Sequence, residues 1–320
     1  MAAEQVIGVD LGGTNARLAV VDSAGAIRHR ESFHSGAFRD APQEALLERL
    51  AEALRALVRN AGGSGARVEA VGLGVPGIVR LPAGVVVASP NFPRWREFPV
   101  RAGLESQLPV PVVVDNDANA AALGEQWRGA GRAFESFLCL TLGTGVGGGL
   151  ILEGRLWRGA DGMAGEVGHV TVEPGGPACN CGNRGCLEQY ASGRGIARRV
   201  REALAAGSES ALAAAEPLTA EAVHRAARAG DRVAQEAFHQ AGVALGIALG
   251  GLVNVLNIQG IVIGGQVSQA WTFLGPPLIE ELCRRSYVAA SGTVRVVQAE
   301  LGDDAGILGA ARLALRGAPR

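Results

Sequence analysis

The chain has 320 residues and no lysine; all 30 of its basic residues are arginine. That absence excludes a Walker-type P-loop, a protein-kinase fold and a pyridoxal Schiff base in their usual forms, because each needs a lysine amine. The net charge of −1 leaves no basic excess of the kind that marks nucleic-acid binding, so no nucleic acid is expected as a partner. No apolar run reads as long enough for a membrane span. A basic stretch followed by an apolar core and a cleavage site is also missing at the N-terminus, so no signal peptide and a cytoplasmic setting are expected. Gly-x-Ser-x-Gly is absent, and His29, His34, His224 and His239 read as surface residues.

Cysteine is scarce but clustered. Three of the five (Cys179, Cys181 and Cys186) fall within eight residues, and His169 stands ten positions before the first. Three thiolates and one imidazole make a complete tetrahedral set for zinc with no position left for water, which describes a structural site. Gly182 and Gly185 permit the tight turns such a segment needs. The competing reading is three free thiols in a loop, which a reducing compartment would also allow. A closed metal site does no chemistry itself, so the reacting groups must lie elsewhere.

With 48% hydrophobic residues and 47 glycines, the chain can bury large cores in one or two domains. Residues 6–9 and 18–21 read as strands joined by a glycine turn, Asp10-Leu11-Gly12-Gly13-Thr14-Asn15-Ala16-Arg17. A helix is expected from about Pro42 to Asn60, with Leu46, Leu47, Leu50, Leu54, Leu57 and Val58 on one face. Residues 71–75 and 110–114 read as buried strands, and 120–127 as an alanine-rich helix. The opening pattern returns as a strand over 137–140, a turn running from Thr141 to Gly149, and a strand over 150–152. Helices are expected over about 195–205, 219–229 and 231–256, strands over 258–263 and 294–297, and a tail helix over about 305–315. Alternating strands and helices call for a layered α/β fold, and two glycine hairpins suggest a nucleotide held in a cleft.

Asp115-Asn116-Asp117-Ala118-Asn119 closes a buried strand and opens a helix, the usual ligand crevice of open α/β sheets. Asp117 is the better candidate for a general base, with Asn116 beside it to bind a hydroxyl; Asp115 or Asn119 reads as the helix cap. Glycine turns let backbone N–H groups converge on phosphate oxygens, and Gly264-Gly265 adds a third. Asp10 is placed to act through a hydrated Mg²⁺. Phosphoryl transfer is the leading class.

These motifs together resemble the ROK family (repressors, open reading frames and kinases), and within it the bacterial glucokinases. The resemblance covers nearly the whole chain and rests on Asp10-Leu11-Gly12-Gly13-Thr14-Asn15, Gly74-Val75-Pro76-Gly77, Asp115-Asn116-Asp117-Ala118-Asn119, Gly143-Thr144-Gly145-Val146-Gly147-Gly148-Gly149, Glu166-Val167-Gly168-His169 and the cysteine segment. It implies an actin-like ATPase (ribonuclease H-like) α/β fold with an interdomain cleft. The expected domains are a small one over 1–115, with a C-terminal helix of about 305–320 packed back on it, and a large one over 116–304. It implies that Asp117 takes the proton of a sugar 6-hydroxyl during attack on ATP. Sugar contacts would come from Gly77, Asn91, Asn116, Glu166, His169 and Glu188. Nucleotide contacts would come from Asp10, Gly12, Gly13, Thr14, Asn15, Arg17, Thr144, Gly145, Gly147, Gly264 and Gly265. Zinc on His169, Cys179, Cys181 and Cys186 would be structural, leaving one ring nitrogen of His169 for a sugar hydroxyl.

Glucose is the favoured sugar, because Ser89-Pro90-Asn91-Phe92-Pro93-Arg94-Trp95 resembles the glucokinase form of the sugar loop. N-acetylmannosamine, N-acetylglucosamine and fructose are the alternatives. Gln266 stands where many relatives have a third glycine, which leaves polyphosphate as a possible second donor. A sugar-sensing repressor is the non-enzymatic alternative, though only nine residues precede Asp10, too few for a helix-turn-helix. A homodimer or homotetramer is expected.

Overall fold

The computed structural model describes residues 4–63 and 67–317. The elements run β1 (Glu4–Leu11), β2 (Ala16–Asp22), β3 (Ile27–Phe33), α1 (Gln43–Gly63), β4 (Arg67–Val75), β5 (Ile78–Arg80), β6 (Val85–Ala88), β7 (Arg96–Phe98), α2 (Val100–Glu105), β8 (Val112–Asn116) and α3 (Asp117–Arg128). There follow β9 (Phe137–Leu142), β10 (Val146–Leu152), β11 (Arg155–Trp157), α4 (Glu188–Ala191), α5 (Gly193–Ala205), α6 (Ala220–Arg228) and α7 (Arg232–Leu256). The chain ends with β12 (Gly260–Gly264), α8 (Trp271–Arg285), β13 (Arg295–Gln298) and α9 (Asp304–Arg316). Of the tail helix expected to reach 320, residues 318–320 lie outside the described residues.

Two five-stranded sheets share one plan, β3-β2-β1-β4-β8 and β11-β10-β9-β12-β13, and β5-β6-β7 make a small third sheet. In the first, β1, β2 and β3 pair antiparallel, while β4 lies parallel to both β1 and β8. In the second, β12 pairs parallel with β9 and β13. The α/β class follows from parallel central strands covered by helices.

By contacts the chain divides into two compact units. The first comprises the residues up to 135, 149–165 and those from 300 onward; the second comprises 136–148 and 166–299. Helix α3 and the segment 149–165 therefore fall with the first unit rather than with the domain expected to begin at residue 116.

In the first unit the alternation of β1 sends its side chains to two cores. Ile7, Val9 and Leu11 join Leu46, Leu50, Leu54 and Leu57 of α1. Val6, with Ala19 and Val21, meets Ile307, Leu308, Ala311 and Ala314 of α9. Gly72 lets that helix lie close to the sheet, since a Cβ there would stand 1.8 Å from the Ala310 carbonyl oxygen. The 89–95 segment is anchored by Phe92 and Trp95, both 1% exposed, whose rings meet at a tilt with centroids 5.3 Å apart. Trp95 Nε1 also donates to the Gln43 carbonyl at 3.1 Å.

Helix α7 corrects one expectation. By length and a mean hydropathy of 1.4 it meets the requirements of a membrane span, although no such run was anticipated. Half of that stretch is buried inside the protein, where its glycines let α8 approach closely, as expected for a central helix of a packed unit.

Candidate active site and metal centre

Within the first unit, β8 pairs with β4 to its last residue and delivers Asn116 and Asp117 to the start of α3. The cap is neither of the residues expected. Asn116 Oδ1 accepts from the Ala118 and Asn119 N–H groups at 2.8 and 3.2 Å, while its Nδ2 donates to the Gly77 carbonyl at 3.1 Å. That amide is thus mostly spent on holding the turn, which leaves it one N–H for a ligand. Asp115 is 1% exposed and belongs to the strand end, with Arg158 Nε donating to its Oδ2 at 2.7 Å. Asp117 remains partly exposed at the first position of α3.

The glycine turn between β1 and β2 is fixed by backbone bonds, with Gly12 N–H donating to the Asn15 carbonyl at 3.0 Å and Ser35 Oγ donating to the Gly12 carbonyl at 2.6 Å. Thr14 and Asn15 are exposed at its tip. Asn91 lies against Gly13: a Cβ at Gly13 would stand 1.9 Å from Asn91 Nδ2. Arg17 bridges two carboxylates, 3.8 Å from Asp10 and 3.0 Å from Asp303. Burial pushes the Asp10 carboxyl up to about 6; the Arg17 guanidinium opposes that rise and Asp303 adds to it. A desolvated carboxylate short of positive charge is a site where a cation would be welcome.

In the second unit the turn between β9 and β10 closes on Glu188. Val146 N–H donates to Glu188 Oε2 at 3.1 Å, and a Cβ at Gly145 would meet the same oxygen at 2.4 Å. Glu188 opens α4 directly after the cysteine segment. The ligand atoms of His169, Cys179, Cys181 and Cys186 all lie within 4.8 Å of one another. His169 Nδ1 is 3.6 Å from Cys179 Sγ, and Cys181 and Cys186 sulfurs are 3.6 Å apart, close to the roughly 3.8 Å edge of a tetrahedron with ~2.3 Å zinc–sulfur bonds. The other ring nitrogen, Nε2, points toward Glu166 Oε2 at 3.9 Å. The imidazole thus faces the cysteine sulfurs with one nitrogen and Glu166 with the other. Burial and the two neighbouring thiols push Cys186 up to about 12, whereas the Asn183 backbone N–H holds Cys181 below its usual range. Partial burial pushes the Glu166 carboxyl up, His169 opposes this and Glu188 reinforces it.

A cavity of about 590 Å³ also lies in this unit, beneath the 143–144 turn. Thr144 lines it, as does Gln266; Gly264 and Gly265 do not and instead form the adjoining backbone, Gly265 with φ +86° close against Leu142. The sequence reading missed its far wall, built by Arg194, Ala197, Arg201, Glu221, His224 and Phe238. Helices α5 and α6 both begin there, capped by Ser192 and Thr219. Two helix N-termini and two arginines suit phosphate, while Ala197, Val267, Ala270 and Phe238 offer an apolar seat for a base. His224 is half-buried rather than on the surface, edge-on to Phe238 at 5.9 Å, and burial, followed by the charge of Arg228, keeps its pKa low.

The ROK family model matches residues 6–317 of this chain. A glucokinase of Halalkalibacterium halodurans is 40% identical over 95% of this chain and 92% of its own length. A ROK family glucokinase from Streptomyces griseus, solved with glucose and AMPPNP, superimposes with a TM-score of 0.83 at 36% identity, covering 98% of this chain and 100% of that one. A xylose repressor of Caldicellulosiruptor bescii is 32% identical over 95% of this chain and 76% of its own length. The actin-like layering of two similar sheets, the glycine turns and the His–Cys₃ set agree with these matches: the chain belongs to the ROK family.

Proposed function

We propose that this protein is a glucokinase that transfers the γ-phosphate of ATP to the 6-hydroxyl of glucose, in the cytoplasm and as a homodimer or homotetramer. The observation that carries the reaction is the contrast between Asp115 and Asp117. The first is buried, with both oxygens engaged by Arg158, Asn119 and the Asn116 N–H; the second stands partly exposed at the helix start. Asp117 is the general base. It takes the 6-hydroxyl proton as that oxygen attacks, and the helix N-terminus steadies its charge before the transfer.

Gly77, Asn91 and Asn116 hold the sugar from the first unit's residues, and Glu166, His169 Nε2 and Glu188 supply acceptors and a donor from the second's. Hydroxyls need such paired groups. The turn at Gly12, Gly13, Thr14 and Asn15, with Arg17, and the turn at Thr144, Gly145 and Gly147, with Gly264-Gly265 behind it, are the nucleotide's backbone cradle. The cavity beside Thr144 is the seat of the base. Phosphoryl transfer asks mainly for positioning and charge neutralisation, so a lysine is not required. Mg²⁺ would be held by Asp10 through water and would neutralise phosphate charge. Zinc on His169, Cys179, Cys181 and Cys186 would be structural, fixing the ring that faces Glu166.

The test is Asp117→Asn. Glucose affinity is expected to stay within a few fold while turnover is almost lost; turnover near that of the parent protein would remove Asp117 from the base role. A kcat/KM panel over glucose, N-acetylmannosamine, N-acetylglucosamine and fructose, run with ATP and with polyphosphate, checks substrate and donor. An N-acetylated sugar ahead of glucose would overturn the specificity.

A further inference from the structure

Nothing in the motif pattern singles out Arg158, yet this residue carries the charge that the catalytic turn stands on. Asp115 is buried, and among the described residues its ion-pair partner is Arg158, at 2.7 Å. A carboxylate buried this way needs a counter-charge and hydrogen bonds around it. Its oxygens distribute that charge to both sides of Asp117. Oδ1 accepts from the Asn116 N–H at 2.8 Å, immediately before the base, and from Asn119 Nδ2 at 2.9 Å, two residues after it.

The arginine is itself held in place. It follows β11, which is registered on β10 by the pairs Leu150 with Trp157, Ile151 with Leu156 and Leu152 with Arg155. Its carbonyl accepts from the Ala164 N–H at 3.0 Å, closing the loop behind it. Its side chain keeps 22% of its exposure, so small cations in solution can reach the position it fills.

We propose that Arg158 is a positioning residue for phosphoryl transfer: through Asp115 it fixes the Asn116-Asp117 turn and so the direction of the general base. The proposal rests on Asp117 being that base. Without the guanidinium, the buried Asp115 carboxylate loses its ion-pair partner and must turn toward water, which releases the Asn116 N–H or the Asn119 amide. The base then points wrongly, while Asn91, Glu166, His169 and Glu188, which hold most of the sugar in the proposed site, are untouched. A misplacement of about 1 Å in a reacting group is worth on the order of 100-fold in rate.

Arg158→Ala should therefore lower kcat about 10- to 100-fold with glucose KM within threefold, in protein whose unfolding remains cooperative. Guanidinium at a non-denaturing concentration should restore part of the lost kcat, and methylammonium at the same ionic strength should restore less. Because Arg158 acts through Asp115, Asp115→Asn combined with Arg158→Ala should be no slower than the slower single variant. Parental kcat in Arg158→Ala, a loss confined to KM, no response to guanidinium, or multiplicative effects in the double variant would each overturn the proposal. Asp117→Asn separates the two assignments. Turnover in that variant sinks the base whatever Arg158 does, whereas an inactive Asp117→Asn beside a fully active Arg158→Ala sinks Arg158 alone.

Discussion

Substituting Gly309 by alanine sets two known effects against each other. In a helix interior alanine is favoured over glycine by about 1 kcal/mol. Gly251 in α7 isolates that gain, because a Cβ there meets no heavy atom within 4 Å. At Gly309 in α9 the same Cβ would stand 1.6 Å from the Ala120 carbonyl oxygen, 2.4 Å from its carbon and 2.9 Å from the Gly124 nitrogen. All three are backbone atoms of α3, so no side chain can swing aside. The closest tolerable approach is 3.0 Å, so the two helices would have to part by about 1.4 Å at this crossing. Overpacking of this kind costs about 1–3 kcal/mol and here meets rigid backbone, so the strain outweighs the propensity gain. Gly309→Ala should lose about 2 kcal/mol, and Gly251→Ala should gain about 0.5–1 kcal/mol. Ala120 lies three residues after Asp117, so the push lands on the first turn of α3, beside the proposed base, and kcat should fall as well. Urea midpoints and kcat for both variants check this. A Gly309→Ala protein as stable and as fast as its parent would refute the close-packing argument.

Removing zinc with a chelator, or replacing Cys186 by serine, should lower the thermal midpoint and raise glucose KM together, because His169 links the metal set to Glu166; loss of neither would contradict the linkage, and metal analysis should find about one zinc per chain. Asp231 caps α7, and although burial raises its pKa, hydrogen bonds from Ala234 N–H, Ser210 Oγ and Ala211 N–H outweigh that and hold it below the usual 3.8. Its contribution is therefore present above about pH 4 and lost as pH falls through the folded value. Asp231→Ala should cost about 1–2 kcal/mol at neutral pH, with the gap to the parent closing in acid, as read from urea midpoints at both pH values. Trp95→Phe keeps the ring contacts with Phe92 and Phe98 but removes the indole donor to the Gln43 carbonyl, so it should cost about 1 kcal/mol by the same measurement. An unchanged midpoint would mean that water replaces the indole N–H.

Much of this architecture is legible in the sequence because its signals are local. The apolar face of α1 repeats leucine at helical spacing, and the glycine turns after β1 and β9 each follow a short buried strand, so residue order alone reveals them. Helix α8 is not visible that way: Pro276 and Pro277 sit in its middle and read as a break. The fold accommodates them because Pro277 is buried against the face of α7 at Gly242, where packing compensates for the missing N–H bonds. The small sheet β5-β6-β7 escapes notice because its strands are three or four residues long. The same limit explains the site. The 115–119 segment is recognisable as a strand-to-helix ligand turn, but which member caps it depends on Arg158, 43 positions from Asp115. His224 reads as a surface histidine because the cavity it lines is assembled from α5, α6, α7 and the 266–270 turn.

Each unit fixes its own acidic side chains, by different physics and for different tasks. A base must keep a lone pair available for the proton it takes. Asp117 Oδ1 accepts the Ala118 N–H at 2.9 Å. Its turn is steadied through its neighbours, with Asn116 spending its amide on the cap and Asp115 pairing with Arg158. In the proposed sugar site a carboxylate that reads hydroxyls can tolerate direct restraint on one oxygen, and Glu188 accepts the Val146 N–H on Oε2. Glu166 is held more loosely, by an imidazole whose second nitrogen belongs to the metal set. That hold orients the carboxylate only if the imidazole is itself rigid. The proposed zinc would supply that rigidity: with His169, Cys179, Cys181 and Cys186 on one ion, the ring that faces Glu166 could not turn.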